Sequence, residues 1–267
     1  MNRVKRGYFE YPFGQLHYRS INLDRDLPLL IMFHQSPLSS RNYQAVLPFL
    51  GDNFRVVAID TPGFGQSDLP AETWEVDDYG RLAGYVADSL NSQKFLLFGR
   101  ATGAVFAFAA SLLFPDRVDK LVLHGMPVYT PEERENRLAS FAPPYEISND
   151  GKHFDWIWSR IHSEYPWIGA DLATHFSKDF LDAGPDFATS YRAIWRYDLP
   201  EIFAAAGSKL TAPTLVIGGS EDRIGFMHER VTSLLTGAEH CVIEGATDFV
   251  AEQDPAGFAT RLTSFLK

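Results

Sequence analysis

The chain has 267 residues, of which 45% are hydrophobic and 22% charged. That is length and apolar content enough for one α/β domain with a modest insertion, and it excludes a disordered architecture. A formal net charge of -10 opposes nonspecific binding to nucleic acid, which needs clustered Lys and Arg. The single cysteine, Cys241, excludes an intramolecular disulfide and a cysteine zinc site. Apolar runs such as Leu27 to Phe33 fall far short of a membrane span, and Met1-Asn2-Arg3-Val4-Lys5-Arg6 is no basic-then-apolar leader. A soluble cytoplasmic protein without membrane contact is expected.

In chain order, residues 4 to 22 predict a hairpin: Tyr8, Phe9 and Tyr11, a Phe13-Gly14 turn, then Leu16, Tyr18 and Ile21. Past the polar break Asp24-Arg25-Asp26 come short continuous apolar runs at Leu29 to Phe33, Val56 to Ile59, Phe95 to Phe98, Leu121 to Leu123 and Thr214 to Ile217. Such runs suit strands buried on both faces of a parallel sheet. Helical segments lie between them. Asp77 to Leu90 carries Leu82, Val86 and Leu90 at four-residue spacing, and Gly103 to Phe114 is apolar nearly all round. The alternation predicts an open, doubly wound, mostly parallel α/β sheet.

From Tyr129 to Lys209 the rhythm breaks. No strand signal appears, and the stretch holds four of the five tryptophans, Trp156, Trp158, Trp167 and Trp195, with Tyr165, Tyr191 and Tyr197 among them. A helical insertion over residues 129–209, set on a core of 1–128 and 210–267, would cover the C-terminal ends of the strands as a lid. Its aromatic residues serve either as lid core or as ligand wall, and Trp156 and Trp195 are candidates for the wall.

Gly99-Arg100-Ala101-Thr102-Gly103 follows the fifth strand and opens a helix. A sharp strand-to-helix turn needs small residues around its apex and lifts the apex side chain above the sheet. This layout resembles the nucleophile elbow of the α/β-hydrolase superfamily, whose apex is usually Ser, Asp or Cys. His34-Gln35-Ser36-Pro37 is similar to that superfamily's His-Gly-x-Pro turn, with Gln35 in place of glycine. Asp60-Thr61-Pro62-Gly63-Phe64-Gly65-Gln66-Ser67-Asp68 resembles its D-x-P-G-x-G-x-S turn. Phe114-Pro115-Asp116-Arg117-Val118 resembles the exit into the sixth strand. Ala212-Pro213 to Gly218 with Asp222 resembles the strand and loop of the triad acid, and Gly245-Ala246-Thr247-Asp248-Phe249 the G-x-G-H-F stretch. The resemblance runs the length of the chain and implies an α/β-hydrolase fold with the lid after the sixth strand. It implies no cofactor, and it specifies chemistry far less than fold.

Two positions depart from the pattern. Ala101 has no nucleophilic atom, so it forms no acyl or alkyl enzyme. Asp248 stands where the resemblance implies a histidine acting as general base and acid. A serine-to-alanine change would explain the first alone, so both read as divergence. His240 precedes the apolar Cys241-Val242-Ile243 and belongs at a strand start.

What the resemblance leaves in place is an oxyanion hole of backbone N–H groups, here those of Ser36 and Thr102. Asp248 would face the space above Ala101 with Asp222 close behind. Two carboxylates in one low-dielectric site raise the pKa of one of them and suit acid/base work. Alternatively, Asp248 hydrogen-bonds its own loop. His124, ending the sixth strand, is a further catalytic candidate or a satisfied structural histidine. His34, Gln35 and Arg100 are candidate substrate contacts, although His34 would also brace its own turn and Arg100 its own loop. Ser36 has a hydroxyl near the hole but no evident base partner. His153, His162 and His175 lack metal-ligand spacing, so no metal is expected, and Gly63 and Gly65 form no phosphate loop because no Lys-Ser/Thr follows. Two readings follow. One is a cofactor-independent small-molecule enzyme, hydrolase or lyase, acting on an apolar or aromatic carbonyl compound by activated water or proton transfer. The other is a non-catalytic small-molecule binder. In either case a monomer or homodimer is expected.

Overall fold

A computed structural model describes residues 3–206 and 210–267. The predicted end of the lid at 209, like Met1 and Asn2 of the leader reading, lies outside the described residues. The hairpin forms from β1 (Lys5–Tyr11) and β2 (Gly14–Ile21), paired antiparallel from Lys5 opposite Ser20 to Tyr11 opposite Gly14. The apolar runs become β3 (Leu29–Phe33), β4 (Arg55–Ile59), β5 (Phe95–Arg100), β6 (Val118–His124), β7 (Thr214–Gly219) and β8 (Glu239–Ile243). The eight strands form one sheet in the order β1-β2-β4-β3-β5-β6-β7-β8. β2 joins β4 antiparallel, and every pair from β4–β3 onward is parallel. Each strand from β3 to β7 must therefore return through a crossover, which is why helices alternate with strands.

The helices are α1 (Leu47–Leu50), α2 (Val76–Ser89), α3 (Thr102–Leu113), α4 (Pro131–Ser140), α5 (Lys152–Glu164), α6 (Ala170–Ala183), α7 (Thr189–Arg196), α8 (Leu199–Ala206), α9 (His228–Leu234), α10 (Val250–Gln253) and α11 (Pro255–Leu266). Side-chain alternation along the strands divides the core between two layers. Ile31, Phe33, Leu97, Leu121 and Leu123 pack with α2 and α3, where Tyr79 stacks on Phe106 at 4.3 Å between ring centres. Leu30, Met32, Val56, Phe98 and Val122 pack with Leu47 and Leu50 of α1 and Phe258, Leu262 and Leu266 of α11. α3 is buried nearly all round, as its composition required. Asp60, at the end of β4, gathers the N–H groups of Ser40 (2.7 Å) and Gln66 (2.9 Å) and the Nδ1 of His17 (2.7 Å). Burial opposes its charge, yet His17, His34 and Ser40 hold its pKa down at about 2. No described helix is long and apolar enough to cross a membrane.

Helices α4 to α8 lie between β6 and β7 and form the lid. Ile157, Ile161, Phe176, Phe180 and Phe187 make its core, and Leu38 and Phe249 from the sheet side enter the same cluster. A polar contact joins the two parts as well: Ser39 Oγ donates to Asp179 Oδ1 at 2.9 Å. Burial raises the Asp179 carboxyl to about 7, against the opposing pull of the Ser39 hydrogen bond and Arg41. A raised folded-state pKa means that the folded protein keeps a proton the unfolded chain releases. Stability from this group is therefore complete below its ordinary value of 3.8 and is lost as pH rises through about 7. Asp179→Asn is expected to flatten this part of the profile. Urea midpoints at pH 5 and pH 8 should differ less in the variant than in the wild type, and equal differences would remove Asp179 from the pH response.

Candidate active site

β5 ends at Arg100 and α3 begins at Thr102, so the whole reversal falls on Ala101. Its backbone sits at φ 49 and ψ -113, a region that costs a non-glycine residue roughly 1–3 kcal/mol and persists only when its surroundings enforce it. Two glycines make the turn possible. A Cβ on Gly99 would lie 2.1 Å from the Gly103 carbonyl oxygen, and one on Gly103 would lie 2.4 Å from that of Phe33. The Ala101 N–H donates to the His124 carbonyl at 3.0 Å and ties the apex to β6.

Above the apex, beneath the lid, lies a cavity of about 100 Å³. Gln35, Ser36, Ala101, Thr102 and Asp248 line its floor side, with Pro127, Ile224 and Phe226 beside them. Tyr129, Arg137, Phe141, Tyr165, Tyr191, Ile194 and Arg223 complete the wall. Burial raises the phenols of Tyr165 and Tyr191 above their ordinary range. Asp248 is the one acidic residue lining the cavity among the described residues.

Ser36 and Thr102 stand together, linked by more than backbone. The Ser36 N–H donates to Thr102 Oγ1 at 2.7 Å, and that hydroxyl donates to Ser36 Oγ at 3.0 Å. From the lid, Ser190 Oγ donates to Ser36 Oγ at 2.6 Å and the Tyr191 hydroxyl donates to the Ser36 carbonyl. The Ser36 N–H thus already has an acceptor in the Thr102 side chain. The Thr102 N–H, at the first position of α3, has no acceptor within its helix.

Asp222 and Asp248 do come together, and a guanidinium joins them. Arg100 Nη2 lies 2.9 Å from Asp222 Oδ2 and 3.2 Å from Asp248 Oδ1. Its Nε and Nη1 reach the carbonyls of Asp248 (3.3 Å) and Gly125 (3.2 Å). Asp222 Oδ1 accepts from the Ile224 N–H at 2.9 Å, and Asp248 Oδ2 from the Arg223 N–H at 3.0 Å. Burial raises the Asp222 carboxyl, Arg100 pulls it back and Asp248 pushes it up again, leaving it above its ordinary value. Burial works against the Arg100 charge, but the two acids reverse that and raise its pKa. The link between the acids is therefore a cation and not a shared proton.

The remaining predicted contacts lie off the cavity wall. Arg100 is buried behind the elbow with its charge answered by the two acids. His124 turns to the opposite face of the sheet, with Phe98 and Phe258 at 6.3 and 5.4 Å between ring centres; burial, with Arg100 adding, drives its pKa well below the ordinary value. His34 donates from Nδ1 to the Gln35 carbonyl (2.9 Å) and accepts the Thr61 N–H at Nε2 (2.9 Å), so it braces two loops. Trp156 packs on Tyr145 and Phe187 within the lid, and Trp195 stacks on Tyr191 at 5.4 Å. Sequence reasoning passed over Tyr129, Arg137, Phe141 and Arg223, along with the apolar Pro127, Ile194, Ile224 and Phe226. Only Arg223 carried a signal, as the neighbour of Asp222. Among the described residues no cluster of His, Cys, Asp and Glu is arranged to hold a metal.

This geometry agrees with comparison to known proteins. The family described as having the alpha/beta hydrolase fold matches residues 28–255. The chain is similar to haloalkane dehalogenase 2 of Mycobacterium bovis, 30% identical over 96% of this chain and 92% of that protein. A shorter match, 29% identical, relates 38% of this chain to 36% of an uncharacterized hydrolase of Saccharomyces cerevisiae. Among solved structures, epoxide hydrolase A from Mycobacterium thermoresistibile superposes with a TM-score of 0.79 over 99% of this chain and 98% of that one, at 19% identity. By sheet order, elbow and family match together, the chain belongs to the α/β-hydrolase fold family.

Proposed function

We propose that the protein is a small-molecule enzyme of hydrolase type that works without a covalent intermediate on the elbow, because Ala101 and Asp248 stand where the family's serine and histidine would act. A water over Ala101 gives a proton to Asp248 while its oxygen attacks the carbonyl carbon of an apolar or aromatic substrate. With a β-diketone the same step leads on to hydrolytic C–C cleavage, in which the leaving enolate carbon takes back the proton held on Asp248. The observation that carries this reading is the placement of Asp248, the one acidic residue lining the cavity among the described residues. A carboxylate has about four acceptor positions. The Arg223 N–H and Arg100 occupy Oδ2 and Oδ1 from behind, which leaves capacity for a water. The Thr102 N–H, joined by that of Ser36 once the Thr102 hydroxyl turns away, meets the developing oxyanion. Donors of this kind contribute roughly 3–4 kcal/mol each.

Turnover of activated aryl esters and β-diketones tests the reading. Asp248→Asn is expected to lower kcat/KM on the order of 10²-fold, and equal turnover by both proteins would remove Asp248 from the reaction. A second reading, a binder without chemistry, is favoured by the Ser36–Thr102 hydrogen bond, which places a protein hydroxyl where a substrate oxygen would sit. Ligand binding in the cavity with no turnover by either protein selects it.

A further inference from the structure

The charges around the cavity do not balance. Asp248 is answered by Arg100 and by the Arg223 N–H. Behind it, Asp222 is answered by Arg100 as well. The Arg223 guanidinium lies 4.8 Å from the Tyr165 ring centre, with its Nη1 2.7 Å from Glu164 Oε2, and Glu164 is shared with Arg160. Arg137 is different. Its guanidinium carbon sits 4.6 Å from the ring centre of Tyr129 and 4.4 Å from that of Phe141. Glu133, one turn earlier on α4, feels its charge, but the Glu133 carboxylate is bonded to Arg230, and Arg137 makes no ion pair of its own among the described residues. On the cavity wall itself two guanidinium groups, Arg137 and Arg223, stand with one acidic residue, Asp248, in a protein whose net charge is -10.

A guanidinium held between two aromatic rings is restrained by its faces, while its N–H edge stays available. That edge is a planar fork whose spacing matches a carboxylate, and a partly enclosed, low-dielectric site strengthens such a bond. The rest of the wall is flat and aromatic: Tyr129, Phe141, Tyr165 and Tyr191. We infer that the cavity takes a small planar organic carboxylate, with the acid group on Arg137 and an apolar, single-ring body against these rings. This rests on the cavity over Ala101 being the working site, and not on any role for Asp248 in the chemistry.

Isothermal titration with benzoate, 4-hydroxybenzoate and cinnamate, each beside its primary amide, tests the inference, since acid and amide share size and shape and differ in charge. Wild-type protein is expected to bind at least one acid about tenfold or more tighter than its amide. Arg137→Met should abolish that preference, while Arg137→Lys should keep part of it. Ile224→Trp, which fills the cavity, should weaken acid and amide alike. Acids bound no better than amides, a preference that survives Arg137→Met, or affinities that Ile224→Trp leaves unchanged, would overturn it. Turnover lost in Asp248→Asn without an acid preference would sink this inference alone. An acid preference without turnover would sink the catalytic reading alone.

Discussion

Arg100→Met is expected to lower the unfolding free energy by about 3–5 kcal/mol, the range for removing one partner of a buried ion pair. Methionine fills much of the same volume, so the loss is electrostatic and not a packing defect. What remains is two carboxylates, Asp222 and Asp248, side by side at 0% and 4% side-chain exposure with no cation between them. Three carbonyl contacts, to Asp248, His124 and Gly125, go as well. The pH dependence should change in a defined sense. Asp222 already titrates above its ordinary range, and without Arg100 it moves further up, so the variant recovers stability as pH falls and the acids take protons. Urea unfolding at pH 7 and pH 5 measures both effects. Adding Asp222→Asn to the Arg100→Met background should restore part of the loss. A loss under about 1 kcal/mol at pH 7 would mean that water replaces the guanidinium.

Gly103→Ala should be at least as damaging, with a loss above about 4 kcal/mol and little soluble protein. The added methyl carbon would lie 2.4 Å from the Phe33 carbonyl oxygen and 2.6 Å from that of His34. Both obstacles are backbone of β3 and the loop after it, so no side chain can swing aside. α3 would have to lift from the sheet, and with it the apex at Ala101. Gly169→Ala is the control. A methyl there meets nothing within 4 Å, and its φ of -72 suits any residue. Its unfolding free energy should match the wild type within about 0.5 kcal/mol. A soluble Gly103→Ala protein of normal stability would show that the elbow tolerates a wider separation of α3 from β3.

These cases also mark what can be read from a sequence. Gly99 to Gly103 and Asp60 to Asp68 were legible because each turn's steric requirements lie inside a few consecutive residues. The strands were legible because both faces are buried, which writes continuous apolar runs. Arg100 was not, since its partners come from loops after β7 and β8, and no local pattern announces a bond that spans 148 residues. Trp156 and Trp195 looked like cavity wall by composition alone. Which side of a lid helix meets the cavity depends on how the helices seat on the sheet, and that seating gave the wall to Tyr129, Phe141, Tyr165 and Tyr191. His124 did leave a clue. The strand period of two places it on the face of Val122, packed with α11, and not with Leu121 and Leu123.

The Arg100 bridge also bears on how the chain is made. Synthesis runs from the N-terminus, and 148 residues separate the arginine from the Asp248 carbonyl it reaches. At 5–20 residues per second, that interval lasts roughly 7 to 30 s. Throughout it, the Arg100 guanidinium lacks the Asp248 carboxylate that answers it in the folded protein. The bridge from Arg100 to Asp222 and Asp248 can close only after the last loops emerge. The charge beside an apex encoded in five consecutive residues is therefore answered only near the end of synthesis.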